Sequence, residues 1–216
     1  MTDVMEKTET ISSASFVWSP DHSILAALAS VSASASTDKF RPLLTNIHLF
    51  TRDGEIIAEA TDSYTLARVS MPVEASADLD VLVSAKWLTD SLKSFKPSGK
   101  RRVDILVGVM DDTISLTGEG KTLSTLVAEG KFPGIDHLIP AEANYKTELG
   151  SFQASFLSRM AHVLPSLNKK DESTWSCISM SATSPSLWRR VQHVGDHTFT
   201  GLFLQMPVRI NLGERG

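Results

Sequence analysis

Apolar residues along the chain switch between two spacings, and the order of the switches repeats three times. Phe16-Val17-Trp18 is a short apolar stretch, after which Ile24, Leu28 and Val31 fall at i, i+4 and i+7 on one face of a helix. Ser19 followed by Pro20 predicts an N-cap with proline at the first helical position. Strands are predicted over Leu43 to Thr51, Ile56 to Thr61 and Leu66 to Met71, with Asp53-Gly54 as the hairpin turn between the first two. A second round runs from the strand Val81 to Val83 into a helix, Lys86 to Phe95, with Leu88, Leu92 and Phe95 as its stripe. Strands Val103 to Met110, Thr113 to Thr117 and Leu123 to Ala128 follow, turning at Asp111-Asp112 and Gly118-Glu119-Gly120. The third round opens with Leu149 to Gln153 and a helix from Ala154 to Leu164, stopped by Pro165. Trp175 to Ala182, Leu187 to Val194 and Phe199 to Ile210 are its strands. Strand, helix and three strands each time make an α+β chain of three βαβββ units.

Breakers set the boundaries. Residues 1–11 form a polar N-terminal extension, and 12–130 hold two units, divided near 74 and 75. Residues 131–145, bounded by Gly and Pro, read as a connector between globular pieces. Residues 146–212 hold the third unit, and 213–216 are a tail. Each unit must bury one helix face and one sheet face. If units pair, the third keeps an open apolar face, and another chain is expected to complete it.

Composition narrows the chemistry. With 216 residues, 42% hydrophobic and 21% charged, the chain has the balance of a globular protein. No apolar run reaches the roughly 20 residues of a membrane-spanning helix, and Met1 to Thr10 lacks the apolar core of a secretory signal. A single cysteine, Cys177, allows neither an internal disulfide nor a thiolate-rich metal site, so a reducing cytoplasmic setting is expected. Nucleophile elbows, phosphate loops and zinc-binding helices are all missing from the sequence, so neither an enzyme nor a cofactor is expected. His193 and His197 flank a turn at Gly195-Asp196, and Asp62 follows a strand as a turn-stabilising residue rather than a catalytic carboxylate.

The cations carry more. From Lys86 to Arg102 there are six cations (Lys86, Lys93, Lys96, Lys100, Arg101, Arg102) against Asp90 alone, in a chain of net charge −4. Arg159 and His162 lie on the polar face of the third helix and Lys169-Lys170 beyond it, while the first helix offers only Lys39 and Arg41 at its exit. Two readings stand side by side: ordinary solvated helix faces, and a sequence-independent contact to nucleic-acid phosphates. A base-stacking platform for single strands is not expected.

Four segments resemble the bacterial DNA polymerase III β-subunit sliding clamps. Arg41-Pro42-Leu43-Leu44-Thr45-Asn46-Ile47 is similar to the opening of a clamp sheet, and Ala60-Thr61-Asp62 through Leu66-Ala67 to the family's Ala-Thr-Asp-x-x-x-Leu-Ala turn. Gly130-Lys131-Phe132-Pro133 with Leu138-Ile139-Pro140 resembles the interdomain connector, and Gln205-Met206-Pro207-Val208-Arg209-Ile210 the carboxy-terminal Met-Pro-Met-Arg-Leu signature. Their order on the threefold repeat covers roughly residues 12–210. The chain resembles a complete middle domain followed by half of the last one, and Ser63-Tyr64-Thr65 replaces the usual Gly-His-Arg. Its shortness points to a phage-encoded or mobile-element version.

The resemblance implies a DNA-clamp fold with helices lining a ring and sheets outside. It implies a processivity factor that encircles double-stranded DNA without reading sequence and tethers a replicative polymerase. The cations placed toward DNA would be Lys39, Lys86, Lys93, Lys96, Lys100, Arg101, Arg159, Lys169 and Lys170. DNA polymerase and clamp loader would dock through short linear motifs in an apolar pocket matched here by Thr61, Leu66, Pro133, Leu138 and Met206, with Pro207 and Arg209 beside it. Family rings close with twelve units, so three per chain implies a homotetramer, with a trimer or dimer as the other homo-oligomers. The competing expectation is an interaction protein or decoy that keeps the pocket and does not encircle DNA.

Overall fold

The computed structural model describes residues 16–74, 77–99, 101–139, 154–165, 174–179, 184–194 and 196–206, together with 141 and 144. The first unit comprises β1 (Phe16–Trp18), α1 (His22–Ala29), β2 (Asn46–Arg52), β3 (Glu55–Thr61) and β4 (Thr65–Pro72). The second comprises β5 (Asp80–Ser84), α2 (Ala85–Ser94), β6 (Leu106–Met110), β7 (Thr113–Gly118) and β8 (Lys121–Leu126). Of the third, α3 (Ala154–Met160), β9 (Ser176–Ser179), β10 (Ser186–Val194) and β11 (His197–Gln205) are described. Its predicted first strand, Leu149 to Gln153, lies outside the described residues.

Local chemistry explains most boundaries. The Asp53-Gly54 and Glu119-Gly120 hairpins each hold two consecutive residues at positive φ, the turn whose twist matches that of paired strands. The first helix departs from expectation: Asp21, not Ser19, is its N-cap, its carboxylate accepting the Ile24 N–H at 3.0 Å. Pro20 is drawn into the neighbouring sheet, where its carbonyl accepts the Ile105 N–H at 2.8 Å, so the helix starts only at His22. Leu43 to Thr45, expected as strand, form a 3-10 turn with Pro42 at its start. The third helix also stops early. It ends at Met160, and Leu164, the residue before Pro165, sits at φ +47°.

The first two units exchange strands. β5 of the second unit joins the first unit's strands, and β1 of the first joins the second's, giving sheets β5-β2-β3-β4 and β1-β6-β7-β8. The exchange makes the pair one domain with a common core of Ile24, Leu28, Leu88, Leu92, Val107 and Leu116, among others. The third unit then extends the first sheet: β11 pairs antiparallel with β4, with Leu204 opposite Leu66, producing seven continuous strands in the order β5-β2-β3-β4-β11-β10-β9. Val163 and Leu164, fully buried, carry the third unit into the common core, and burial of a side chain of this size is worth about 1.5–3 kcal/mol. Gly201 makes room for Leu164 and Trp175, since a Cβ there would meet Leu164 Cδ2 at 3.2 Å and Trp175 Cη2 at 3.1 Å.

The connector is not a free spacer. Phe132 and Ile135 are buried against Leu66, Leu82, Leu187 and Leu204, on the face of the long sheet opposite the helices. β3 is therefore covered on both sides, which is why its residues from Ile56 to Thr61 are all buried instead of alternating. Among the described residues no helix is long and apolar enough to cross a membrane.

Candidate functional site

Where β3, β4, β11 and the connector meet, they leave a cavity of about 270 Å³. Thr61, Leu66, Pro133, Leu138 and Met206, matched to the expected pocket, all line it, joined by Leu44, Tyr64, Ile135, Pro185 and Leu204. Pro207 and Arg209 lie outside the described residues. The β3–β4 turn shapes the rim. Thr61 donates from Oγ1 to the Thr65 carbonyl at 2.7 Å, and Asp62 Oδ1 accepts the N–H groups of Tyr64 and Thr65 at 2.9 and 2.7 Å. Met206 is fixed through its backbone N–H, which donates to the Tyr64 carbonyl at 2.9 Å, leaving its side chain partly exposed. Arg159 of α3 donates to Asp62, and its guanidinium lies 5.5 Å from the Phe156 ring centroid, so one turn ties the first unit to the third. Burial opposes the charge on Asp62, but hydrogen bonds from Thr65, Arg159 and Tyr64 outweigh it and hold its pKa below the usual carboxylate value.

Reading residues one at a time missed Ile135 and Leu204. The register signal for Leu204 is its position opposite Leu66; Ile135 is an apolar residue inside a segment read as a spacer.

An ion network anchors the connector wall. Asp136 accepts from Arg52 Nη1 at 2.9 Å and Arg68 Nη2 at 2.6 Å; Arg68 Nε also donates to the buried Glu59 at 2.8 Å. His48 bridges Glu59 and Asp80 at 2.9 and 2.8 Å and stacks on Phe50 and Phe132. Hydrogen bonds from Arg52 and Arg68 hold Asp136 at a pKa of about 2. Because Asp136 is largely exposed, its pairing is worth only about 1 kcal/mol or less. Asp136→Ala is thus expected to leave the fold intact while loosening Pro133, Ile135 and Leu138; a severalfold loss of peptide affinity in a titration checks it, and unchanged affinity would show that the network does not position the wall.

The network also sets a pH dependence. Burial disfavours the charged His48 ring, but hydrogen bonds to Glu59 and Asp80 prevail and raise its pKa above the usual 6.5. A raised pKa stabilises the fold fully below the unfolded value and ceases to do so as pH climbs through the folded one. The urea midpoint should fall above pH 6.5, and His48→Gln should flatten that decline; a parent chain with no decline there would contradict this role.

The helix side carries a second feature, an open groove of about 590 Å³ along α1. Lys93 of α2 and Lys96 just beyond its end line it together with Arg159 and His162 from the third unit, and His22, Ala26 and Ala33 form part of its floor. Pairing tempers the charge: Asp90 binds both Lys86 and Lys93, the latter at 2.6 Å, and those two lysines hold its pKa at about 2. Lys39 is exposed away from the groove, Arg101 pairs with Glu119 at 3.0 Å, and Lys86 lines a different hollow beside Trp87. Lys100, Lys169 and Lys170 lie outside the described residues.

The sequence model of the family described as DNA polymerase III beta subunit, central domain, matches residues 20–134, more than half of the chain. The protein belongs to this family. A beta sliding clamp of Micrococcus luteus is 30% identical over 117 residues, covering 53% of this chain and 37% of that protein. A beta sliding clamp of Staphylococcus aureus strain Mu50 is 26% identical over 169 residues, or 74% of this chain and 43% of its own. Among solved structures, the Pseudomonas aeruginosa sliding clamp bound to griselimycin superposes with a TM-score of 0.69 at 16% identity, covering 97% of this chain and 68% of that one. The beta chain from Streptococcus pneumoniae TIGR4 gives 0.67 at 19%, covering 90% and 65%. The first matched curated relatives are covered over only about a third of their length. The DNA polymerase III beta family match covers the two exchanged units except β1 and reaches the connector, while the structural likeness extends the same fold into the third unit.

Proposed function

We propose that the protein is a DNA sliding clamp, a non-enzymatic cytoplasmic ring that encircles duplex DNA and holds a replicative polymerase through the cavity beside Met206. The observation that carries this reading is the convergence of Thr61, Leu66, Pro133, Leu138 and Met206, from three separated stretches of sequence, on one apolar cavity. A concave site of this kind, with a polar turn at its rim, suits a short extended peptide that inserts one or two apolar side chains. Polymerase and clamp-loader subunits would dock there in turn. On the other side of the sheet, Lys93, Lys96 and Arg159 offer cations to phosphates, with nothing arranged for base-edge readout, so DNA would be held and not fixed in register. Three units per chain would close a homotetrameric ring.

Titration of a fluorescent peptide from the carboxy-terminal tail of a replicative polymerase tests the pocket directly. Saturable binding is expected, and replacing the peptide's apolar anchors with alanine should remove it; absence of saturation would refute the pocket. A second reading is favoured by one observation: ion pairs to Asp90 and Asp62 engage several helix cations. In that case the protein captures peptides without encircling DNA, and retention on DNA separates the two.

A further inference from the structure

Beside the pocket, on the same face of the long sheet, a hollow of about 640 Å³ shares Pro133 and Ile135 with it, so one stretch of connector walls both. His48 lines this hollow, opposite Glu59 in the β2–β3 ladder. Its two ring nitrogens face two different carboxylates, Nδ1 with Glu59 at 2.9 Å and Nε2 with Asp80 at 2.8 Å. A neutral imidazole has one N–H and one lone pair, and only the doubly protonated ring can donate to both. Charged groups line the hollow from every element around the ring: Glu59 from β3, Arg68 from β4, Asp80 from β5, Arg52 from β2, and Lys131 and Asp136 from the connector. Two links run from His48 to the connector, and they bracket the pocket wall. The ring stacks on Phe132, centroids 5.1 Å apart, next to Pro133. Glu59 passes to Arg68, whose Nη2 lies 2.6 Å from both Glu59 and Asp136, next to Ile135.

We propose that the protonation state of His48 regulates the Met206 pocket: the doubly protonated ring holds the connector wall in place for a peptide, and loss of one proton lets that wall go slack. This rests on the pocket reading and adds to it a control by pH. Glu59 is 3% exposed, too buried for solvent to replace a lost donor. A neutral ring therefore keeps its N–H on Glu59 and turns a lone pair toward Asp80, which is exposed and takes water instead. Both links to the connector then weaken. An uncharged ring loses the attraction of a cation for the Phe132 face. Glu59, no longer neutralised by His48, draws on Arg68 and leaves Asp136 less of that guanidinium. Pro133 and Ile135 lose their anchors on both flanks, and peptide affinity falls as pH rises. His137, exposed on the same connector, is the other histidine beside this wall. Coupling of this kind is reciprocal, so a bound peptide favours the protonated ring by the same factor.

The test is titration of the full chain with an acetylated, histidine-free peptide from the carboxy-terminal tail of a replicative polymerase. Affinity should fall about fivefold between about pH 6 and about pH 9, within the ordinary range of coupling between sites. His137→Gln should keep that fall, and His48→Gln should abolish it. Asp80→Asn, at an exposed position, leaves one carboxylate on the ring and should move the fall to lower pH. In the unmodified chain, saturating peptide should raise the pH midpoint of the His48 ring signals in NMR by about 0.7, the same fivefold on a logarithmic scale. Saturable binding of equal strength at both pH values, a fall that survives His48→Gln, or a midpoint that peptide does not move would each overturn the proposal while the pocket stands. No saturable binding at either pH would overturn the pocket reading and the proposal with it.

Discussion

Met206→Glu is expected to abolish measurable binding of a polymerase-derived peptide. The Met206 side chain stands at the mouth of the cavity, while its backbone N–H is held by Tyr64. A carboxylate in its place would have to lose water against an apolar peptide side chain, and disrupting an anchor of this kind costs about 2 kcal/mol or more, roughly thirtyfold in affinity. Met206 is 37% exposed in the absence of peptide, so the substitution should leave the unfolding midpoint and the mass of the assembly unchanged. Isothermal titration paired with sedimentation distinguishes loss of the pocket from loss of the fold. Affinity retained within threefold would take Met206 out of the binding surface.

The second large effect concerns the groove. Replacing Lys93 and Lys96 together by Glu changes four charges in a place where two helices and the third unit converge, and it leaves Asp90 with Lys86 alone. Each lysine that neutralises a phosphate releases about one counterion, so the double variant should weaken DNA binding at least tenfold at low salt and flatten the dependence of log K on log salt by about 2. Peptide affinity should not move, because the groove and the pocket lie on opposite faces of the long sheet. Binding measured on one duplex across a series of salt concentrations reads both quantities. An unchanged salt slope would place the DNA elsewhere, or support the reading in which the protein never encircles DNA.

Much of this was legible in the residues. Period-two alternation in Thr113 to Thr117 and the i, i+4, i+7 spacing of Ile24, Leu28 and Val31 are local signals, and the strand and the helix they predict are present, with Val31 in a 3-10 turn that continues the helix. The five pocket positions were reachable only because short segments matched a family pattern, since nothing in Leu66 or Met206 alone distinguishes a pocket wall from a core. Long-range arrangements left no local trace. The exchange of β1 and β5 depends on pairing across the domain, and a spacer-like run rich in Gly and Pro gave no warning that Phe132 and Ile135 would be buried. Asp21 illustrates a third kind of miss. Ser19-Pro20 has the composition of a helix start, but the sheet took the Pro20 carbonyl first, and the carboxylate one residue on became the cap. Arg159 illustrates a fourth: helix position marks it as a surface cation, whereas its partner Asp62 is 97 residues away.

Copies of this chain are expected to close into an annulus through which a duplex can pass. Electron microscopy of the assembled particle should show a ring of four chains, helices facing an open hole wide enough for double-stranded DNA and sheets forming the rim. A solid particle without a hole, or single chains at the concentrations where peptide binding saturates, would contradict it.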